Sequence, residues 1–414
     1  MKSPDGQLTH EVDNTTYSLQ SRRSFMRSLG VALGAIESCL SLSAEQSGQA
    51  IQGFEEGPVD PDVWKGWAPI SDKKIRMGLV GYGASKFSAA FGFQNHPNVE
   101  IVAVSDLIPE RCAELAKATR CSHTYPSLEE LVKDNNIEAV FVTTDAPSHL
   151  KHVTEILKHG KHVACSVPAV WGSLEDAENL FEVVKSSDRI YMMFETSAFR
   201  EEGYAMRQIY NAGGFGRPLY TEGEYYHYMP VPIDSFKGWR IGLPPQWYPT
   251  HSNAFHICVT GGSFTEVTCL ATPSKIEHLT PGGNRYGNPY GTEVALFRTS
   301  EGGMARMCVS WDTPGFGAEA GRLRGQKGTY NEKYEGLAKE IPNLKRPPLP
   351  PGVLPGGHGG AHGYLTNEFV SAVLQKRKPL VDIATALNLT VPGIVAHQSA
   401  LKGGETLKIP QYKL

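Results

Sequence analysis

Three observations predict an α/β chain: a doubly wound parallel sheet, then a second α+β domain with an open, largely antiparallel sheet. First, the stretch from Ile75 to Asp106 reads strand, glycine turn, helix, strand, acid. Second, short apolar runs alternate with helical segments as far as Glu195. Third, the pattern then changes, and apolar runs follow one another without helices between them.

Taken in order, residues 1–44 resemble an export signal. Ser21-Arg22-Arg23-Ser24-Phe25-Met26 matches a twin-arginine pattern, and the weakly apolar Leu29–Leu42 leads to small residues near Ala44. This predicts a periplasmic or secreted protein. Residues 45–72, with Gly, Pro and acids, read as a linker. Residues 73–196 are expected to form a nucleotide-binding domain and 197–414 a substrate-binding one. Ile75–Val80 is apolar enough for a buried parallel strand. Gly81-Tyr82-Gly83 is a turn that needs positive φ or close approach to a ligand. Ala84 to Gln94 reads as a helix with Phe87, Ala90 and Phe91 on one face. Val99–Val104 is the next strand, leading to Asp106. Such a unit holds a dinucleotide: free N–H groups bind the pyrophosphate, and the acid takes the adenosine ribose. Gly81, Tyr82, Gly83, Ala84 and Asp106 are therefore cofactor candidates. Asp106 favours NAD over NADP, because a carboxylate repels a 2′-phosphate. Lys86 stands where the fingerprint's third glycine would fall.

The alternation continues. Pro109–Thr119 is helical, and Ser127 with Glu130 forms a capping box. Ile137–Thr143, His162–Val167 and Ile190–Phe194 are strands, and Ser173 caps the helix before the last of them. Six strand–helix repeats predict a Rossmann sheet. Ligands bind beyond the carboxyl ends of such strands, so Thr143, Thr144, His149, Ser166, Pro168 and Glu195 are expected on the cofactor. Leu219–Tyr228, Glu266–Thr272, Glu293–Thr299 and Met304–Trp311 are the strands of the second sheet. Pro342–Gly360 is a loop, and Leu365–Gln375 and Ala384–Leu401 are closing helices.

Composition narrows the function. A net charge of −3 over 414 residues offers nothing to nucleic acid. No run is long and apolar enough for an ordinary membrane span. The 7 cysteines show no C-x-x-C spacing, so core thiols are expected rather than a metal or disulfide framework. Polar and aromatic residues crowd two second-domain stretches, Glu224–Tyr228 and Trp239–Asn253. Hydride removal from an alcohol needs a base for the hydroxyl proton, and histidine suits it near neutral pH. His251, His227 and Tyr225 are the catalytic candidates. Trp239, Arg240, Tyr248, Thr250 and His362 are candidates for binding a sugar ring.

From Lys74 onward the chain resembles the glucose–fructose oxidoreductase / inositol dehydrogenase / MocA family. GLVGYG with Asp106, TTDAPSHLKHVTEILKHGKHVACSVP and VPGIVAHQSALKGGETLKIP carry the resemblance. It implies a Rossmann domain, an open mixed sheet that binds substrate and often pairs two copies, and NAD(P)-linked chemistry on sugars or polyols. Two departures stand out. Ser166-Val167-Pro168 replaces the family's Glu-Lys-Pro, and Trp247 stands where the family tends to have an aspartate. The segments YMMFETSAF, GEYYHYMP, WYPTH and HGGAH resemble the NAD-dependent α-N-acetylgalactosaminidase branch, which also lacks that lysine. That branch oxidises the sugar, eliminates the aglycone, adds water and re-reduces. On this resemblance His227, His251 and His362 flank the sugar, although Phe199 stands where the branch tends to have tyrosine. Two enzymatic readings follow, net dehydrogenation and redox-neutral glycoside cleavage. A carbohydrate-binding protein with a vestigial nucleotide fold is a third, suggested by Lys86 and the missing lysine.

Overall fold

A computed structural model describes residues 51–414 except 56–59, 84 and 316–317. The expected signal, Cys39, parts of the expected linker and the cofactor candidate Ala84 lie outside the described residues.

The first sheet is parallel and six-stranded. Its strands are β1 (Ile75–Val80), β2 (Val99–Ser105), β3 (Thr124–Tyr125), β4 (Ala139–Val142), β5 (His162–Cys165) and β6 (Tyr191–Met193). The order is β3-β2-β1-β4-β5-β6, so the chain reverses direction beside β1, between β1 and β4. That switch point opens a crevice at the carboxyl ends of the strands. β4 is buried at every residue because helices cover both faces. β3, only two residues long, carries too little pattern to read from sequence.

One expectation fails here. The helix expected over Ala84–Gln94 is a single turn, α1 (Phe87–Ala90), followed by a 3-10 turn at Phe93–Asn95. Lys86 takes a left-handed conformation with φ 55°, and Gly92 does the same at 76°. Two reversals of this kind within seven residues leave no room for a longer helix. The remaining helices form where expected: α2 (Pro109–Thr119), α3 (Leu128–Leu131), α4 (His149–Lys158) and α5 (Leu174–Lys185). Ser127 accepts from the Glu130 N–H at 3.3 Å and Ser173 from the Asp176 N–H at 3.0 Å, the N-cap bonds that the sequence calls for.

The second sheet has eight strands. Those expected form as β7 (Pro218–Tyr226), β8 (Phe264–Pro273), β9 (Tyr290–Thr299) and β10 (Met304–Ser310). β11 (Ala318–Gly325), β12 (Gly328–Asn331), β13 (Lys333–Gly336) and β14 (Leu407–Lys408) extend the sheet at both edges. Only β7 and β10 pair in parallel. One face carries α6 (Glu201–Asn211), α7 (Thr250–Thr260) and the last helix, α9 (Ile383–Leu401). Glycines set how closely α7 lies on the sheet. A Cβ at Gly223 would come within 2.1 Å of the Ser252 carbonyl, and one at Gly321 within 2.1 Å of the Phe255 ring. The helix that carries His251 is thereby held against β7 and β11.

An aromatic core ties the last part of the chain to the first sheet. Phe91, Phe93, Phe141 and Phe194 pack with centroids 4.7–5.7 Å apart, and Phe369 of α8 (His362–Gln375) closes on Phe93 at 6.1 Å. Fully burying each ring stabilises the fold by about 1.5–3 kcal/mol.

Candidate active site

A cleft of about 360 Å³ lies beyond the carboxyl ends of β1, β2, β4 and β5 and is walled on its other side by the second sheet. Its nucleotide end is built from the β1 turn. Gly81 has φ 91°, and a Cβ there would sit 2.6 Å from the Thr143 carbonyl oxygen. Only glycine keeps this turn open to a bulky anion. The Asp106 carboxylate accepts from the Tyr82 N–H at 2.8 Å and the Ile108 N–H at 2.9 Å, which fixes it at the edge of the cleft. Gly83, Tyr82, Thr143, Thr144 and Ser166 also line it. The cradle at Gly81 and the fixed carboxylate fit a dinucleotide. Lys86 is exposed and does not line the cleft.

At the other end His251 projects from the first turn of α7. Its Nδ1 lies 2.8 Å from Glu195 Oε1 and 3.2 Å from Thr196 Oγ1. Burial alone would lower its pKa, but the charges of Glu195 and Glu319 outweigh that and hold it above the ordinary value. Ser197 joins those two carboxylates: its N–H donates to Glu195 at 2.8 Å and its hydroxyl to Glu319 at 2.6 Å. Burial would raise the Glu319 pKa, yet His251, His358 and Arg200 keep it below the usual range.

Tyr225 and His227 lie on the same wall, with Oη and Nδ1 3.1 Å apart. Burial pushes the Tyr225 pKa well up, so the phenol keeps its proton. Burial, helped by Arg240, pushes His227 down to about 4, so the imidazole is neutral. The neutral phenol and the neutral imidazole share this hydrogen bond. The Tyr225 and Tyr248 rings sit 4.6 and 5.5 Å from His251, and the Arg240 guanidinium lies 4.2 Å from the Trp239 ring. The loop bearing Trp239 to Tyr248 is fastened from behind. Trp311 Nε1 donates to the Leu243 carbonyl at 2.9 Å, and the Gln246 N–H to Glu293 at 2.7 Å.

Several residues expected in the site stand behind it. His149 is fully buried, with Nδ1 donating to the Pro168 carbonyl at 2.7 Å; it ties the loops after β4 and β5 together. Pro168 does not line the cleft. Glu195, expected on the cofactor, supports His251 instead. Thr250 is fully buried at the start of α7. His362 stacks on Phe91 at 4.2 Å and sits behind His358, the residue that does reach the cleft. The two rings share a 2.8 Å bond, Nδ1 of His358 to Nε2 of His362. Burial holds His358 down at about 4.

Other contributors escaped the sequence. Ile51, Gln52 and Phe54, read as linker, line the cleft. Gln52 donates to the Tyr226 carbonyl at 2.9 Å, and the His358 N–H donates to the Gly53 carbonyl at 2.6 Å. Glu319 lies opposite Tyr225 in the β11–β7 register. Its one sequence signal is a carboxylate at an inward position of a strand. No described helix is long and apolar enough to cross a membrane.

With the geometry in view, residues 75–195 match the model of an oxidoreductase family with an NAD-binding Rossmann fold. This stretch belongs to the Gfo/Idh/MocA family. Two similar curated proteins are a glycosyl hydrolase family 109 protein of Streptomyces niveus, 22% identical, and one of Solibacter usitatus, 23% identical. The match spans 82% of this chain in each case, and 77% and 88% of the relative. Among solved structures, levoglucosan dehydrogenase with NADH and levoglucosan superposes at TM-score 0.67 and 16% identity, over 82% of this chain and all of that one. Scyllo-inositol dehydrogenase from Lactobacillus casei gives 0.63 at 16% identity, over 82% and 99%. The family match thus covers residues 75–195, and the likeness in fold extends over both sheets.

Proposed function

We propose that this chain is an exported NAD-dependent oxidoreductase acting on a sugar, glycoside or related polyol at a ring hydroxyl. The observation that carries it is the His251–Glu195 pair at 2.8 Å, in a cleft shared with the Gly81 cradle. An ionised carboxylate only accepts, so Nδ1 of His251 must hold a proton. Nε2 is then free to take the proton of a substrate hydroxyl. Glu195 stabilises the imidazolium that results. His227 hydrogen-bonds a neighbouring substrate oxygen through Nε2 and orients the ring. Gly81, Gly83, Asp106, Thr143, Thr144 and Ser166 would hold the nucleotide, and Asp106 supports NAD over NADP. A bound nicotinamide supplies the hydride acceptor. The arginine pair at Arg22-Arg23 supports export, tested by replacing both with lysine and following the periplasmic fraction.

A second reading is redox-neutral glycoside cleavage. It is supported by Val167 at the position of the family's lysine and by the relatives named family 109. Among the described residues, no pair of carboxylates lines the His251 end of the cleft, as direct hydrolysis would need. One experiment separates the readings. Protein purified without added cofactor is denatured and assayed for nucleotide, then offered sugars and aryl glycosides while reduced nicotinamide is followed. Net NADH supports dehydrogenation. Bound NAD with aglycone release and no net NADH supports cleavage. Protein that neither carries nor binds a nucleotide overturns both.

A further inference from the structure

We infer that the substrate is an acid: a sugar bearing a carboxylate, such as a uronate, held by Arg240. The inference rests on the proposed sugar chemistry of this cleft and narrows its substrate class. Two of the other Lys and Arg side chains along the cleft are answered by acids, and the third, Lys237, is exposed and lies over the Phe236 ring. Arg111 pairs with Asp234 at 3.0 Å, and Lys151 with Glu129 at 2.6 Å. Arg240 also lines the cleft and is partly buried, yet among the described residues it has no carboxylate within 4.0 Å. Its guanidinium lies 4.2 Å from the Trp239 ring and 5.5 Å from the Tyr248 ring. Contact with the Trp239 ring face restrains the plane of the fork, and its N–H donors outnumber what the Tyr248 oxygen beside it can accept.

The carboxylates around His251 are committed elsewhere. Glu195 accepts from His251 and the Ser197 N–H, and Glu319 accepts from the Ser197 hydroxyl and lies 3.9 Å from Arg200. Both sit behind the wall rather than along the cleft. Beside Tyr248 the substrate meets Arg240, the neutral His227 and the phenols of Tyr225 and Tyr248; of the acids that also line the cleft, Asp234 is paired with Arg111 and Asp145 accepts from the Ser148 hydroxyl. A partly desolvated guanidinium without a counter-ion is costly, and a substrate carboxylate offers a two-pronged partner of matching geometry. The cofactor's phosphates do not fill this role, because the Gly81–Gly83 cradle lies at the opposite end. Arg240 instead acts electrostatically on His227, Tyr225 and Tyr248, the residues beside His251.

The test compares acids with their uncharged counterparts on the nucleotide-loaded full protein. Glucuronate and galacturonate are set against their methyl esters and against glucose and galactose. Binding is measured by calorimetry and turnover by kcat/KM. The acids should bind and turn over about 10- to 100-fold better, the scale of one charge-assisted pair. The preference should shrink as salt rises, and R240Q should remove most of it, chiefly through KM, with R240K in between. An ester or neutral sugar handled as well as its acid overturns the inference, and so does an R240Q variant that keeps the full preference. The wild-type acid–ester comparison decides the matter even if R240Q fails to fold. Neutral sugars preferred by a protein that carries NAD would sink this inference alone. A protein that binds no nucleotide would instead sink the reading beneath it, while glucuronate binding measured on that same protein would still decide the charge question.

Discussion

Replacing Glu195 by Gln tests the His251 assignment most directly. The amide keeps the shape of the carboxylate and an oxygen that accepts from Nδ1–H. What it removes is a negative charge 2.8 Å from the imidazole, in a site where Glu195 has no exposed surface and His251 only 3%. A hydrogen bond to a charged group contributes about 1.5–3 kcal/mol and a neutral one about 0.5–1.5. The difference, about 1–2 kcal/mol, corresponds to a fall of about one pKa unit. Glu195 and Glu319 are what raise the pKa of His251 against its burial, so the shift must be downward. The base is the unprotonated imidazole, and activity rises as pH rises through its pKa. The acid limb of kcat/KM should therefore move about one unit lower in the variant. The plateau should also fall, by about tenfold or more, because the imidazolium formed in the reaction loses its counter-charge. The assay is a pH series of kcat/KM on nucleotide-loaded protein, with a melting curve to show that the fold persists. An acid limb that stays in place or moves upward would refute the assignment of His251 as the base.

Three further outcomes are expected. Gly81→Ala should strip the protein of nucleotide, because the new Cβ meets the Thr143 carbonyl at 2.6 Å on a residue with φ 91°; nucleotide content after purification checks it. Asp106→Ala should narrow any preference for NAD over NADP, measured as a ratio of dissociation constants, because it removes the charge that repels a 2′-phosphate. Stability should fall on acidification. Burial keeps His96, His227 and His358 down at about 4 in the fold, while each protonates near 6.5 when unfolded. Their depressed pKa values give stability that is full above about 6.5 and is lost as pH falls toward about 4. Each contributes a slope of about 1.4 kcal/mol per pH unit in that window. His251 works in the opposite sense, its contribution being lost as pH rises through its raised pKa. Melting temperatures between pH 4 and 7 test the net decline.

Much of the nucleotide half was legible because its signals are local. Gly81, Gly83 and Asp106 are set by backbone geometry within one βαβ unit, and the strand runs are apolar because both faces of the sheet are covered. The helix after Gly83 was misread because Lys86 adopts a left-handed conformation that residue identity does not announce. Tyr225, His227, Arg240, Tyr248 and His251 were found as dense polar and aromatic clusters. Thr250 came from the same clusters, His149 from the loop after a strand and His362 from the HGGAH segment, yet all three lie behind the wall, since pattern alone does not tell which face of an element meets the cleft.

The sequence by itself determined the parallel sheet, its glycine turn and acid, and a histidine-bearing second domain, because these rest on local backbone preferences and hydrophobic periodicity. Only the tertiary structure decided that Glu195 leaves the cofactor side to hold His251, and that Glu319 on β11 adds its charge from behind. It also brought Ile51, Gln52 and Phe54 to the cleft and left Arg240, among the described residues, without a carboxylate within 4.0 Å. These pairings join residues dozens to hundreds of positions apart. Their energetics depend on burial and on distances of a few ångströms, which exist only once the two sheets have packed together.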